Sequence, residues 1–162
     1  MIEQQHLNTL RKIYARLDDP TARQINWVIT GSLGMALQGV PVDVHDIDIQ
    51  TDKDGAYEIE SRFPEYVITP VRYKISERIR SHLGALEIDG IKVEIMGDIQ
   101  KRLEDLTWEE PVKVDHYKCW SEIDGMKIPV LSLEYEYQAY LKLGRKEKAE
   151  MLRNWLQKSK AG

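Results

Sequence analysis

Apolar positions along the chain change period several times, and each change marks an element. Leu7, Leu10, Ile13, Tyr14 and Leu17 recur at spacings of three and four. That spacing predicts an amphipathic helix over residues 2–17, closed by Asp18-Asp19-Pro20. Trp27-Val28-Ile29 is short and uniformly apolar, the pattern of a buried strand over 27–30. A Gly31-Ser32 pair then opens a helix-length run over 32–38, stopped by Gly39-Val40-Pro41. Strict alternation in Asp46-Ile47-Asp48-Ile49 predicts a second strand over 46–50 with one face buried. Tyr57, Ile59 and Phe63 fit a helix over 53–63. Strand-like runs follow at 66–75, 80–88 and 91–96, the last two joined by Asp89-Gly90, the sequence of a two-residue hairpin turn. A strand is expected over 112–117, and Asp124-Gly125 marks a further turn before a strand over 126–131. Residues 132–158 read as helix, interrupted near Gly144. This order predicts an α+β fold, a short mixed β-sheet flanked by helices with a C-terminal helical part.

Composition narrows the class. At 162 residues the chain suits a single domain, with a core over about 20–97 and a C-terminal hairpin and helices over about 98–162. A hydrophobic share of 42% and a charged share of 31% are ordinary for a globular protein. The formal net charge of −4 offers no general attraction to nucleic acid or to an anionic membrane. Cys119 stands alone, so no internal disulfide is expected, and with no apolar leader the expected location is the cytoplasm.

The chemistry concentrates between Gly31 and Glu94. Alternation puts Asp46 and Asp48 on one strand face, where two carboxylates repel unless a cation lies between them. Oxygen-only ligands of this kind suit Mg2+, which completes its shell with water and substrate phosphates. In Ile91-Lys92-Val93-Glu94-Ile95-Met96, Glu94 points away from the core beside Lys92. If this strand pairs next to 46–50, three acids meet, an arrangement suited to two divalent ions and in-line phosphoryl chemistry, with Glu94 also placed to act as a general base. Gly31 permits close backbone approach and Ser32 adds a hydroxyl donor for phosphate.

Gly31-Ser32, the Asp46-x-Asp48 pair on the following strand and Glu94 on a later one resemble the polymerase-β-type nucleotidyltransferase superfamily. The likeness is nearest to its small bacterial members, the lincosamide and aminoglycoside nucleotidyltransferases and the abortive-infection nucleotidyltransferases. It covers residues 27–97 and extends more loosely through Lys127-Ile128-Pro129-Val130-Leu131-Ser132. The resemblance implies a nucleotidyltransferase fold and Mg2+-dependent transfer of a nucleoside monophosphate, AMP being the expected one, from a triphosphate to an acceptor hydroxyl on a small molecule or protein. It makes Asp46, Asp48 and Glu94 ligands of two Mg2+ ions, and Gly31 and Ser32 holders of the triphosphate. Toxin-like relatives carry a lysine and an aspartate around their Gly-Arg pair, where this chain has Tyr140 and Lys148, so the acceptor stays open.

Several residues keep two readings. Arg80, His82 and Lys92 either line the face of Glu94, with Arg80 and Lys92 contacting the nucleotide, or are solvated strand positions. Arg72, Lys74, Arg78 and Arg80 either protect a sheet edge or balance triphosphate charge. Lys142, Arg145, Lys146 and Lys148 alternate with Glu147 and Glu150 at helical spacing and read first as ion-paired surface, the second reading being that one of them reaches over the site. Tyr135, Tyr137 and Tyr140 either wall a pocket or pack a helix onto the core. His45 either orients Asp46 or is an ordinary loop histidine. A calcium loop centred on Gly55 fails for want of its final glutamate, and the scattered histidines give zinc no ligand spacing. The competing functional class is a nucleotide-binding or toxin–antitoxin module of the same fold with little turnover. A homodimer would cover an open sheet edge.

Overall fold

The computed structural model describes residues 2–161. A seven-stranded mixed sheet runs in the order β3-β4-β5-β2-β1-β7-β6. The strands are β1 (Trp27–Thr30), β2 (Ile47–Thr51), β3 (Val67–Ile75), β4 (Ile79–Ile88), β5 (Ile91–Lys101), β6 (Lys118–Ile123) and β7 (Met126–Leu131). The helices are α1 (Gln4–Leu17), α2 (Gly31–Leu37), α3 (Lys53–Arg62), α4 (Leu133–Lys142) and α5 (Lys146–Ala161). β2 and β5 pair in parallel, as do β1 and β7, while the other neighbours are antiparallel. Among the described residues no helix is long and apolar enough to cross a membrane.

Period-two alternation divides the sheet into two faces. Trp27, Ile29, Ile47, Ile49, Val93, Ile95, Leu86 and Ile88 project to one side. There they are buried against Leu10, Ile13 and Leu17 of α1 and Ala56 and Ile59 of α3. Each such side chain contributes about 1.5–3 kcal/mol relative to exposure, so the isoleucines fix strand register as firmly as the hydrogen bonds do. Both Asp-Gly turns are two-residue loops with positive φ at each residue, 52° and 82° at Asp89-Gly90 and 50° and 77° at Asp124-Gly125. That geometry matches the twist of a hairpin. Asp52 caps α3 by accepting from the Gly55 N–H at 2.7 Å.

Two features depart from the sequence expectation. β5 runs to Lys101 rather than ending at 96, because Asp98, at φ 50°, absorbs an extra residue and switches the face of the residues after it. Ile99 therefore packs with Met96, Val28 and Leu131, on the side away from α1 and α3. The strand expected over 112–117 does not form. Val112 and Val114 turn inward onto that same cluster, and Val114–His116 is a single 3-10 turn. Extended pairing begins only at β6, where it completes the second hairpin. The C-terminal helices α4 and α5 enclose a separate cluster, Met35, Val40, Leu133, Tyr140, Ala149 and Leu152, on the second face.

Candidate active site

The second face carries the polar members of the alternating strands. Thr30 of β1 lies opposite Asp48 of β2, and Asp48 lies opposite Glu94 of β5, so the three form one rung across adjacent strands. Parallel pairing of β2 with β5 therefore makes Asp48 and Glu94 immediate neighbours, as the sequence reading required. Asp46 sits one residue before β2 and is exposed. Gly31, Ser32, Asp46, Asp48 and Glu94 all line one cleft of about 590 Å³, roofed by α4 and the start of α5.

Gly31 explains how the turn fits the acid. Its φ is 67°, the left-handed region, and a Cβ there would run into Oδ2 of Asp48. Only glycine lets the chain pass from β1 into α2 at this distance from the carboxylate. Burial pushes the Asp48 carboxyl up to about 6, and the neighbouring charges of Glu94 and Asp46 push the same way, against Lys148 and Lys92. A group held in this state gains from any cation that replaces its proton. The acids offer oxygen alone, the donor type that hard divalent ions take. They do not form a ready cage: among the described residues no three His, Cys, Asp or Glu side chains stand close enough together to hold one ion.

The other candidates separate. Lys92 is on the face of Glu94 but one step outward, 3.8 Å from Glu94 Oε2, and does not line the cleft. Arg80 donates to Gln100 Oε1 at 3.0 Å and stacks over Trp108, and it does not line the cleft either. His82 faces α3, where its Nδ1 is 3.0 Å from the Tyr57 hydroxyl, on the side of the sheet away from Glu94. Arg78 donates to the Leu143 carbonyl at the end of α4, and Arg72 and Lys74 are exposed on the edge strand. His45 lines the cleft, and its carbonyl is 2.9 Å from Nε2 of His6. Tyr135 and Tyr140 do both things foreseen for them, packing α4 inward and walling the cleft.

Four charged residues enter that the sequence reading missed or assigned to surface. Arg145 and Lys148 line the cleft from the start of α5. They are aimed there by a Schellman turn, in which the Arg145 N–H donates to Tyr140 O at 2.9 Å and the Gly144 N–H to Leu141 O at 3.1 Å, with Gly144 at φ 74°. Lys101, 4% exposed, pairs with Glu109 at 3.0 Å and donates to the Tyr135 hydroxyl at 3.1 Å. Glu136 of α4, 6% exposed, accepts from the Thr30 hydroxyl through Oε1 and from the Gly31 N–H through Oε2 at 3.2 Å. Burial drives its carboxyl up to about 7, the Thr30 and Gly31 hydrogen bonds work against that, and the charge of Asp48 adds to it. Its sequence signal is position: Leu133, Glu136 and Tyr140 share one helical stripe, so a glutamate stands where an apolar residue belongs.

The sequence pattern of the aminoglycoside-2''-adenylyltransferase family matches residues 9–154. The chain belongs to that family. It is a nucleotidyltransferase. A crystal structure of a proposed nucleotidyltransferase from Thermotoga maritima is 66% identical, covers 98% of this chain and 96% of that one, and superposes with a TM-score of 0.85. The family's fold extends to more distant structures. The lincosamide adenylyltransferase LnuA with lincomycin bound has 12% identity, coverage of 94% and 97%, and a TM-score of 0.57. ANT(2'')-Ia in complex with adenylyl-2''-tobramycin has 16% identity, coverage of 95% and 91%, and a TM-score of 0.58. None of the curated proteins matches the chain.

Proposed function

We propose that the protein transfers AMP from ATP to an acceptor hydroxyl on a small molecule or protein, using Mg2+ held by Asp46, Asp48 and Glu94. The observation that carries this reading is the Thr30–Asp48–Glu94 rung, with Gly31 pressed against Asp48 at the floor of a cleft that also receives Arg145 and Lys148. The adenylyl products and antibiotic acceptors of the family and its structural neighbours support AMP and a hydroxyl in general.

Divalent ions bound there would neutralise the triphosphate and lower the pKa of the attacking hydroxyl. The acids of this chain supply the remaining requirements. Asp48, on β2 between β1 and β5, would hold the ion that takes the α-phosphate. Glu94 stands beside it, able to accept the hydroxyl proton as the acceptor oxygen bonds to the α-phosphorus and the bond to the β-phosphate oxygen breaks. Ser32 offers its hydroxyl to the triphosphate, and Gly31 keeps the floor open for it. Arg145 and Lys148 place positive charge where pyrophosphate leaves.

The test is pyrophosphate release from labelled ATP across a panel of hydroxyl acceptors, small molecules and cell-extract proteins, with Asp48→Asn as control. Labelling that requires Mg2+ and vanishes in Asp48→Asn supports the assignment. Equal labelling by both proteins overturns it. Mg2+-dependent ATP binding with no pyrophosphate from any acceptor favours a binding module instead.

A further inference from the structure

Glu136 belongs to none of the roles above, and it is an expensive residue to place where it is. A carboxylate buried in a protein interior loses several kcal/mol of hydration and is retained only with dedicated partners. Its partners are the last side chain of β1 and the first backbone N–H after it: the Thr30 hydroxyl on one oxygen, the Gly31 amide on the other. Those two residues bracket the point at which the chain leaves the sheet and enters α2. They also touch the central acid from two directions. Thr30 is the register partner of Asp48, and Gly31 lies so close to the Asp48 carboxylate that no side chain fits between them. α4 thus reaches over the cleft and holds the turn that confines Asp48.

Resting on the catalytic reading given above, we propose that Glu136 is a positioning residue: its two oxygens lock the Thr30–Gly31 turn and so set the orientation in which Asp48 meets the metal. A carboxylate suits this task because two donors, an O–H and an N–H, must be met by two acceptors. Glutamine has the same shape but a single acceptor oxygen and no charge. With that oxygen kept on the Gly31 N–H, its NH2 group faces the Thr30 hydroxyl, which must turn from donor to acceptor. The two charge-assisted bonds are thereby replaced by weaker neutral ones. The C-terminal helices are therefore part of the active site's frame, beyond covering it.

The full-length protein is tested as Glu136→Gln, Thr30→Val and the double variant, with exposed Glu134→Gln on the same helix as the control. Two readouts are used: Mn2+ affinity in the presence of ATP, followed by the free-ion resonance signal, and hydrogen exchange at the Gly31 amide without metal. Glu136→Gln should bind Mn2+ about tenfold more weakly, the lower end of what loss of an outer partner costs a metal site. It should also exchange the Gly31 amide markedly faster. Thr30→Val should do less, and the double variant no more than Glu136→Gln, since both act through one contact. Should Glu136→Gln fail to fold, Thr30→Val, which keeps the carboxylate, decides by the same readouts. Unchanged Mn2+ affinity and unchanged Gly31 exchange would overturn the proposal, as would an equal loss in Glu134→Gln. If the wild-type protein bound no Mn2+ with ATP, the catalytic reading would fall, while metal-free Gly31 exchange would still show whether Glu136 locks the turn.

Discussion

Asp48 is held where its charge is least favourable, between a buried floor and two other acids. Asparagine there removes the repulsion along with the ligand. Asp48→Asn should therefore raise the melting temperature of the metal-free protein near neutral pH while abolishing metal-dependent transfer. A gain of about 1 kcal/mol would appear as roughly 2–4 °C in a chain of this size. A melting temperature at or below wild type in EDTA would contradict the burial argument. Gly31 makes the complementary case. Alanine at φ 67° costs about 1–2 kcal/mol of backbone strain, and its Cβ must also displace the Asp48 carboxylate. Gly31→Ala should lower both the melting temperature and Mg2+·ATP affinity, whereas Gly125→Ala, at φ 77° in open space, should lower the melting temperature alone. Calorimetric titration beside thermal melts separates the two outcomes.

Among elements, the sequence was most legible where a single rule governed. Alternation located β2 and the first half of β5, and the two Asp-Gly pairs located both hairpin turns and with them the strand-like run of β4, because period and turn chemistry are local. The placement of Asp46, Asp48 and Glu94 on one cleft was legible for the same reason: each is the polar member of an apolar–polar alternation. Illegible were the features that depend on a distant neighbour. The bulge at Asp98 has no local signature, so Lys101 could not be placed in the cleft. The segment over 112–117 has strand composition but is folded inward by contacts with Val28 and Leu131. Arg145 and Lys148 look like surface on a helical wheel, and only the turn at Gly144 points them inward. That turn is testable. Gly144→Ala should cost about 1 kcal/mol through its positive φ, and Arg145→Ala or Lys148→Ala should raise the KM for ATP about tenfold, equivalent to about 1.4 kcal/mol, with little change in melting temperature. An unchanged KM in both lysine and arginine variants would remove them from the triphosphate.

At the scale of the whole molecule, the buried acids couple folding to protons and, on the proposed assignment, to metal. In the folded state Asp48 holds its proton to about 6 and Glu136 to about 7, whereas the ordinary values are 3.8 and 4.5. Between those limits the folded chain binds more protons than the unfolded one, so these two groups make stability fall as pH rises through the interval. His82, whose pKa is lowered by burial and by Lys53, slopes the opposite way nearby, so the contribution of Asp48 is isolated by comparison with Asp48→Asn. The metal-free wild type should lose more melting temperature than Asp48→Asn between about pH 5 and about pH 8. On the proposed assignment a divalent ion would take the place of the Asp48 proton. A ligand that binds only the folded state stabilises it in proportion to the logarithm of one plus the ratio of free ligand to its dissociation constant. Mg2+ should accordingly raise the wild-type melting temperature clearly at the higher pH and much less at the lower, where it must first displace the proton, and it should leave Asp48→Asn nearly unmoved at both. Thermal melts in Mg2+ and in EDTA across that range read the whole effect. An Mg2+ increment of equal size at both ends would mean that Asp48 is not the group exchanging a proton for the ion, and that the cleft binds its cation elsewhere.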